Sequence, residues 1–287
     1  MPLPDGLRLR SAHAEDLPRI AEMRNAAGWP VNDWALRAVL QPPHSRCLVA
    51  VDDTDRVLGV GSGISYGAFG FVGNMVVDPS ARRRGVGAAI LVAVMDFLGR
   101  RGCSRLELFA TDQGRPLYAR HGFEPLAAGV SAVVARDASL PDVADLSVSD
   151  AAVDALPELA DYDAPRFGGD RRPLLAAMLA DPGRSVVLAR HQGRTVGWGW
   201  IRPDAERVGP LTADSPDVAM AIARVALARM PTTPTLRLTM PAANHAGAEA
   251  LRRIGATMEE SGGRMAIGRD VPRRDETIYG HAAGALG

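Results

Sequence analysis

The sequence has few cysteines, no excess of charge of one sign and no long apolar run. Its two cysteines, Cys47 and Cys103, lie in separate apolar surroundings without the spacing of a metal or redox pair, which predicts buried, reduced thiols. Lys plus Arg and Asp plus Glu number 33 each. Because the net charge is zero, no overall field draws the chain to nucleic acid, an anionic membrane or an acidic partner.

The sequence predicts neither membrane insertion nor secretion. The longest apolar run, from Gly85 to Met95, is far shorter than the roughly 20 residues that a membrane-spanning helix needs. The first five residues lack a basic stretch followed by an apolar one, so no secretory signal is expected there. We therefore expect a cytoplasmic protein.

Length and patterning predict two domains. The chain of 287 residues is about twice as long as an average domain of about 150 residues. The polar, turn-rich stretch 135–150 has no sustained periodicity and is predicted to be a linker, which gives domains 1–137 and 138–287. Periodicity in the first half predicts strands at 7–10, 47–51, 57–64, 71–77, 105–110 and 127–134, and helices at 15–25, 85–102 and 115–121.

A similar order of elements returns in the second half. The pattern predicts helices within 152–180 and at 216–230 and 246–254, and strands at 185–190, 195–201, 207–211 and 235–240. The stretch 276–281 is a candidate for a further strand in either domain. We interpret the second half as a diverged repeat of the first.

One turn in the first half has the composition of an anion-binding site. It joins a predicted strand to a predicted helix and reads Asp78-Pro79-Ser80-Ala81-Arg82-Arg83-Arg84-Gly85-Val86-Gly87-Ala88. Glycines allow a bulky anion to approach the backbone, and a helix N-terminus offers free amides and the positive end of its dipole. A dinucleotide-binding turn would need a third glycine where Ile90 stands, and a Walker loop would need Gly-Lys-Ser/Thr.

This turn resembles motif A of the GNAT superfamily of N-acetyltransferases, whose pattern is Arg/Gln-x-x-Gly-x-Gly/Ala. The resemblance implies an α+β fold, a mixed, mostly antiparallel sheet flanked by helices, present twice in tandem. It also implies that the turn holds the pyrophosphate of acetyl-CoA, and that the preceding strand pairs with the pantetheine arm and offers an amide to the thioester carbonyl. The binding residues implied in this way are Met75, Val76, Val77, Arg82, Arg83, Arg84, Gly85, Val86, Gly87 and Ala88.

A second resemblance concerns Tyr118. The stretch 108–123 is similar to motif B of the same superfamily, in which a helix ends Leu-Tyr-x-x-x-Gly-Phe. By that resemblance the hydroxyl of Tyr118 protonates the departing CoA thiolate; ordinary pKa values of about 8.5 for a thiol and about 10 for tyrosine make this transfer feasible. Packing of the ring with a locally satisfied hydroxyl is the alternative. The chain has Thr111 where the family often has Asn.

The general base is not assigned by the sequence. Several superfamily members place a glutamate on the strand before motif A, but residues 70–75 contain none. Asp112, Asp33 and His44 are candidates, and a chain of waters is an equal alternative. The chemistry needs no metal.

The second half lacks both signals. Leu251 precedes Gly255 by four residues, as Tyr118 precedes Gly122, so the acid is missing there. The stretch 209–216 is shorter than the first turn, acidic and without Gly-x-Gly, so it is not expected to bind CoA. The second half resembles the degenerate domain of some bacterial tandem GNAT proteins and is expected to shape the acceptor site. The residues considered for that role are Tyr162, Asp163, Arg166, Phe167 and Asp170.

The resemblance therefore implies an enzyme that moves an acetyl group from acetyl-CoA to a primary amine. A small-molecule amine is the expected acceptor, and neither nucleic acid nor a membrane is an expected partner. An acetyl-CoA sensor or scaffold without turnover, and acetylation of a peptide or protein amine, remain alternatives. The sequence does not predict the oligomeric state.

Overall fold

The structure is a computed structural model that describes residues 6–29, 33–41, 43–230, 232–282 and 284–287. It divides into two compact units whose segments alternate along the sequence. Unit 1 comprises Met1–Leu126, Gly263–Val271 and Gly284–Gly287. Unit 2 comprises Ala127–Gly262 and Pro272–Ala283. Each unit contains its own sheet, so the two are described separately.

Unit 1 is built on a seven-stranded sheet. Its strands are β1 (Arg8–Ser11), β2 (Ser45–Val51), β3 (Val57–Ser65), β4 (Phe69–Val77), β5 (Arg105–Phe109), β6 (Glu124–Pro125) and β14 (Arg264–Gly268), in the order β1-β2-β3-β4-β5-β14-β6. Among the strand pairs that the described residues form in this sheet, only β4–β5 is parallel. Its helices are α1 (Leu17–Ala26), α2 (Asp33–Ala38), α3 (Val86–Arg100) and α4 (Arg115–Arg120).

Unit 2 is built on an eight-stranded sheet. Its strands are β7 (Gly129–Ala135), β8 (Leu146–Asp150), β9 (Ser185–His191), β10 (Arg194–Arg202), β11 (Arg207–Ala213), β12 (Thr235–Met240), β13 (Thr257–Ser261) and β15 (Ile278–Gly280). The order is β13-β7-β12-β15-β11-β10-β9-β8. Its helices are α5 (Leu156–Phe167), α6 (Arg172–Leu179), α7 (Pro216–Arg229) and α8 (His245–Arg253).

The core of unit 1 forms where α3 lies on β3 and β4. Ile90, Leu91, Val94 and Leu98 recur at helical spacing and are fully buried, and each such side chain contributes about 1.5–3 kcal/mol through burial. Glycines in β3 make this close approach possible. A Cβ at Gly61 would lie 2.5 Å from Ile90 Cγ2.

The two sheets exchange strands along the chain. β7, from the first half of the sequence, pairs with β12 and β13 in unit 2, whereas β14, from the second half, pairs with β5 and β6 in unit 1. The fully buried Glu107 of β5 accepts hydrogen bonds from Arg105 Nε at 3.0 Å and from Arg264 Nε of β14 at 2.8 Å. A buried carboxylate needs such partners, so this ion pair fixes β14 against β5.

The expected α+β fold with two mixed sheets is confirmed. The compact units do not follow a single cut of the chain, however, whereas the predicted ranges 1–137 and 138–287 do. The stretch 135–150, predicted to be a linker, ends in β8. The candidate strand at 276–281 is β15, and it pairs within unit 2.

Both cysteines are free thiols; Cys47 is buried, as predicted, whereas Cys103 is only half-buried. Burial raises the pKa of Cys47 to about 12. In the described part of the chain, no helix is both long enough and apolar enough to cross a bilayer.

Candidate active site

The basic turn between β4 and α3 begins with a 3₁₀ helix at Pro79–Ala81. Asp78 Oδ1 accepts hydrogen bonds from the backbone N of Ser80 at 2.9 Å and from its Oγ at 2.6 Å, which fixes the turn as it leaves β4. Arg82 Nε donates to the carbonyl of Val77 at 3.0 Å. Arg19 of α1 also pairs with Asp78, so α1 is tied to the same turn. Hydrogen bonding with Ser80, together with the nearby guanidinium of Arg19, lowers the pKa of Asp78.

Free backbone amides line this turn. Arg83 has φ +60° and Gly85 has φ +84°, a left-handed conformation that glycine adopts without strain. The first α-helical hydrogen bond of α3 runs from Ala89 N to Gly85 O, at 3.0 Å. The amides of Val86, Gly87 and Ala88 therefore have no partner within the helix. With the dipole of a 15-residue helix behind them, they have the donor arrangement that favours an anion.

Arg82, Arg83 and Arg84 are exposed around this turn. Val86 is buried under it, while Gly85, Gly87 and Ala88 are partly exposed. In β4, Val76 is buried and Met75 and Val77 are half-buried. The turn therefore combines exposed cationic side chains with accessible backbone.

Gly87 marks the place where the turn, β4 and α4 meet. A Cβ at this position would lie 3.5 Å from both Leu117 Cδ2 of α4 and Val77 Cγ2 of β4, which are ordinary van der Waals distances. Packing within unit 1 therefore leaves room for a side chain at Gly87. The absence of a side chain at Gly87 instead keeps the backbone accessible on the outer side of the turn.

A gap opens in the sheet just before the turn. β4 and β5 pair from Phe69 and Arg105 up to Val72 and Leu108, and beyond that point β4 continues to Val77 on β3 alone. An extra residue of β4 forms a bulge at the start of the gap, because Ser62 pairs with Gly73 but Val60 pairs with Val76. The strand edge of β4 that faces the gap can therefore accept an extended ligand as an additional strand.

Tyr118 lies on α4 with its ring in the core of unit 1. The side chain is 5% exposed, and its ring meets that of Phe123 edge-on at a centroid distance of 6.1 Å. Burial raises the pKa of Tyr118 to about 12. Among the described residues its hydroxyl has no hydrogen-bond partner. Leu117, the preceding residue, would lie 3.5 Å from a Cβ at Gly87, so α4 lies beside the turn.

Thr111 has a local structural role at the start of α4. Its Oγ1 accepts a hydrogen bond from Gly114 N at 3.1 Å, and its carbonyl accepts one from Arg115 N at 2.9 Å. The residue that departs from the family pattern therefore stabilises the turn that leads into the helix carrying Tyr118.

Two of the three candidate bases have side chains that the structure describes. Asp112 is exposed and pairs with Arg115 at 3.1 Å, and His44 is exposed. The side chain of Asp33 lies outside the described residues. Within the described residues, no group of three or more His, Cys, Asp or Glu is arranged to hold a metal.

Three buried polar residues near the bulge escaped sequence reasoning. Arg24 of α1 donates to Asn74 Oδ1, and Asn74 Nδ2 donates to Ser62 Oγ at 3.0 Å. All three are at least nine-tenths buried. The available signal was a single Asn within the apolar strand 69–77, but nothing in the sequence indicated its partner on α1.

The last residues of the chain pack on the same stretch of β4. Tyr66 donates its hydroxyl hydrogen to the carbonyl of Leu286 at 2.6 Å. Gly73 faces Ala285 so closely that a Cβ would lie 2.6 Å from the Ala285 carbonyl oxygen. The segment 284–287 therefore covers one face of β4 beside the bulge.

In unit 2 the corresponding gap is filled by the chain itself. β11 and β12 pair directly at Arg207 and Arg237, and β15 then lies between them, paired with both. Only Asp214 and Ser215 separate β11 from α7, and Ser215 Oγ caps that helix by accepting from Val218 N. At this position, the described residues of unit 2 therefore form neither a long basic turn nor a gap between the two strands.

The ends of α4 and α8 have the same backbone geometry. Phe123 N donates to Tyr118 O at 3.1 Å across Gly122, which has φ +86°. In unit 2, Ala256 N donates to Leu251 O at 3.0 Å across Gly255, which has φ +76°. The fully buried Leu251 thus takes the place of Tyr118.

The polar residues considered for an acceptor wall have partners inside unit 2. Asp163 is fully buried and forms two hydrogen bonds of 2.7 Å with Arg171, and Trp198 Nε1 also donates to it. Tyr162 donates to the carbonyl of Val196 at 2.7 Å, and Arg166 pairs with Asp214. An acceptor could bind these side chains only by displacing their present partners.

Comparison with known families finds one match in each half of the sequence. Two family models, each described as an Acetyltransferase (GNAT) domain, match residues 43–125 and 159–280. Together the two ranges cover more than half of the chain. The uncharacterised N-acetyltransferase YitH of Bacillus subtilis (strain 168) is 21% identical over 279 residues, which make up 96% of each protein.

Solved structures share the fold over nearly the whole chain. The crystal structure of a protein from Pyrococcus horikoshii, classed with the acetyltransferases, has a TM-score of 0.82 at 23% identity and covers 100% of this chain and 98% of its own. A tandem GNAT protein from the clavulanic acid biosynthesis pathway has a TM-score of 0.62 at 16% identity, over 91% of this chain and 98% of its own. With two GNAT domains matched in one chain and two mixed sheets to hold them, the protein belongs to the GNAT acetyltransferase family, in its tandem form.

Proposed function

We propose that unit 1 binds acetyl-CoA and transfers its acetyl group to the primary amine of a small molecule. The observation that carries the proposal is the open edge of β4, which ends at a turn of free amides and arginines. A ligand with an extended amide-containing arm and a pyrophosphate matches both parts. The binding residues in this proposal are Met75, Val76, Val77, Arg82, Arg83, Arg84, Gly85, Val86, Gly87 and Ala88.

The reaction needs both substrates in the site together. The neutral amine attacks the thioester carbonyl, a C–N bond forms and the carbonyl oxygen becomes an oxyanion, which a backbone amide of β4 near Val77 stabilises. The C–S bond then breaks and its electron pair stays on sulfur. The sulfur receives a proton, and the proton lost by the amine leaves to solvent. Alignment of the two reactants supplies a large share of the rate enhancement.

Tyr118 is the proposed source of the proton at sulfur. Because burial raises its pKa to about 12, the hydroxyl keeps its proton throughout the physiological range. The same burial makes it a weak acid. Relative to a thiol pKa of about 8.5, proton transfer to the thiolate is uphill by about 5 kcal/mol in the empty site. We therefore expect the hydroxyl to act first as a hydrogen-bond donor to the sulfur as negative charge develops.

Replacing Tyr118 tests the proposal. Tyr118→Phe is expected to lower kcat about ten- to a thousand-fold with little change in the Kd of acetyl-CoA, because only the hydroxyl is lost and general acids contribute about 10²–10⁴-fold. Thiol release with an amine panel measures kcat, and calorimetry measures Kd.

Tyr279→Phe is the matched control, since Tyr279 is a buried tyrosine of unit 2 whose pKa burial also raises to about 12. Full activity in Tyr118→Phe removes the residue as proton donor. Loss of acetyl-CoA binding in that variant shows a structural role instead.

The same site accommodates two alternatives that the amine panel separates. Thiol release with peptide amines but with no small amine would identify a peptide or protein acceptor. Acetyl-CoA binding without turnover on any amine would indicate a sensor or scaffold. Tyr118 favours turnover, because a sensor has no need of a proton donor at the sulfur.

A further inference from the structure

The bulge in β4 lies where the gap between β4 and β5 begins. Pairing with β5 ends at Val72, and the extra residue falls between Gly73 and Val76. Asn74, within the bulge, has φ +54°, in the left-handed region that few residues other than glycine adopt. The backbone is therefore turned at the last point before it meets the proposed thioester.

The extra residue reverses the alternation of the strand. Before the bulge, Val72 packs in the core beneath α3, whereas beyond it Met75 and Val77 pack against that core. The face of β4 that carries an even-numbered residue before the bulge therefore carries odd-numbered residues after it. Because amides alternate between the two strand edges as side chains alternate between faces, the bulge also changes which amides of residues 75–77 point into the gap.

Side chains from two other elements hold Asn74 in this conformation. The side-chain oxygen Oδ1 of Asn74 accepts a hydrogen bond from the guanidinium of Arg24 on α1. The side-chain nitrogen Nδ2 of Asn74 donates to Ser62 Oγ on β3 at 3.0 Å. The guanidinium of Arg24 in turn lies over the ring of Trp29, at 5.5 Å from its centroid. Asn74 is 3% exposed and Ser62 fully buried, so these bonds form away from water, where they are directional and costly to break.

We propose that Arg24, Asn74 and Ser62 form a clasp that holds the β4 bulge, and so aims a backbone amide at the thioester carbonyl of acetyl-CoA. This inference rests on the proposed function of unit 1. Arg24 and Asn74 are positioning residues in this account, since they act through the backbone of residues 75–77. The clasp also links α1 to the reacting carbonyl, while the pyrophosphate is held separately by the turn 82–88.

Substitutions that open the clasp test this inference in the full-length protein. Asn74→Gly keeps the freedom to adopt positive φ but removes both hydrogen bonds. Arg24→Met keeps the length of the side chain but removes its donors, and Arg24→Lys restores one donor. Since loss of an oxyanion donor costs about 10²–10³-fold in kcat and the clasp only aims it, we expect Asn74→Gly and Arg24→Met to lower kcat about 10- to 100-fold. Arg24→Lys should recover part of this loss.

A vibrational measurement reads the amide contact without an acceptor. Infrared difference spectra of bound acetyl-CoA labelled with ¹³C at the thioester carbonyl report how strongly the carbonyl is polarised. In the wild type the stretch should lie at lower frequency than in free acetyl-CoA. In Asn74→Gly and Arg24→Met it should move back toward the free value, with the Kd of acetyl-CoA within about threefold of wild type because the turn is untouched. Arg46→Met, at an exposed position of β2, is the matched control.

The outcomes separate this inference from the proposed function. Failure of the wild type to bind acetyl-CoA overturns both. Binding of acetyl-CoA without turnover on any tested amine overturns the proposed acetyl transfer. The carbonyl stretching frequency alone then tests whether the clasp aims the amide. Wild-type frequency and kcat in folded clasp variants overturn the clasp, and so does a loss of kcat matched by an equal loss of acetyl-CoA affinity, which indicates general structural damage.

Discussion

Single residues of the basic turn differ in what they supply. Gly85 is required by its backbone, since φ +84° costs a residue with a Cβ about 1–2 kcal/mol. Gly87 is not required by its packing, because a Cβ there would meet only ordinary contacts. The first glycine shapes the turn and the second keeps its outer surface open.

Gly85→Glu tests the role of the turn. The carboxylate would enter the space proposed for the pyrophosphate, so we expect CoA binding to be lost, with unfolding made easier by about 1–2 kcal/mol from the backbone strain. Calorimetric titration with CoA and urea unfolding measure the two effects. Gly99→Glu, at an exposed position of the same helix with no atom within 4 Å of its Cβ, is the control. Unchanged CoA affinity in folded Gly85→Glu would place the phosphate site elsewhere.

The pKa of Tyr118 predicts the shape of the pH profile. Its active form is protonated, and because burial raises the pKa to about 12, that form persists well above pH 10. The rate should therefore rise with pH as the acceptor amine loses its proton, without a fall up to at least pH 10. Tyr118→Phe should show the same shape at a lower rate. A fall in wild-type kcat near pH 9 that is absent from the variant would contradict this assignment.

Sequence reasoning reached some of these residues because their signals are local. The turn 82–88 and Tyr118 lie in short motifs whose spacing the fold preserves. The clasp was not predicted, because Arg24 and Asn74 are 50 positions apart and a buried arginine on a short helix looks like any solvated one. The pKa of Tyr118 also departs from the ordinary value assumed at first, because the extent of burial is a property of the whole core.

At the scale of elements, β4 carries most of the proposed site. One edge pairs with β3, the other opens toward the gap, and one face is covered by the segment 284–287. The strand was predicted from its apolar pattern, although its bulge and its covered face were not. Both depend on contacts with distant segments.

Gly73→Ala tests the contact with the last residues of the chain. The new Cβ would lie 2.6 Å from the Ala285 carbonyl oxygen and 2.7 Å from Ala285 Cα, so either the backbone shifts or the segment 284–287 detaches. Overpacking of this kind costs about 1–3 kcal/mol of the free energy of unfolding. Urea unfolding and the rate of carboxypeptidase digestion measure the two responses. Gly99→Ala, at an open helix position, should leave digestion unchanged, and equal digestion of both variants would show that the contact is not tight.

Most helices and strands with clear periodicity were predicted within a few residues. Among the described α-helices and strands, those not predicted are α2, β6, β8, β13 and β14. β8 and β13 are five residues each, mostly exposed and rich in polar side chains, and β14 is equally short, so the alternation of these three strands is weak. They are strands because neighbouring edges pair with them, and a pattern within one segment cannot show which edge lies beside it.

At the scale of the whole molecule, the two halves have diverged in what occupies the gap. In unit 1 the edge of β4 stays open, whereas in unit 2 β15 completes the sheet between β11 and β12. The loss of binding features in the second half was predicted from its turn and from Leu251. The filling of the gap depends on where β15 pairs, which the sequence left open.

One acetyl-CoA site per chain is the expected stoichiometry. Unit 2 would have to release β15 and its hydrogen bonds before an extended ligand could enter. Calorimetric titration of the intact protein with acetyl-CoA should therefore give one site per chain, and Gly85→Glu should remove it. Two equivalent sites would contradict the assignment of unit 2 as degenerate.

The exchange of β14 has a consequence for the order in which the protein is made. When Leu126 has left the ribosome, the sheet of unit 1 still lacks the strand between β5 and β6, and Glu107 still lacks Arg264. At synthesis rates of about 5–20 residues per second, the missing strand is made on the order of ten seconds later. During that interval the edge of β5 is exposed, and unpaired edges are where nascent chains associate wrongly. The sheet of unit 1 can therefore be completed only after β14 has been synthesised. A ribosome that stalls before residue 264 leaves this sheet incomplete.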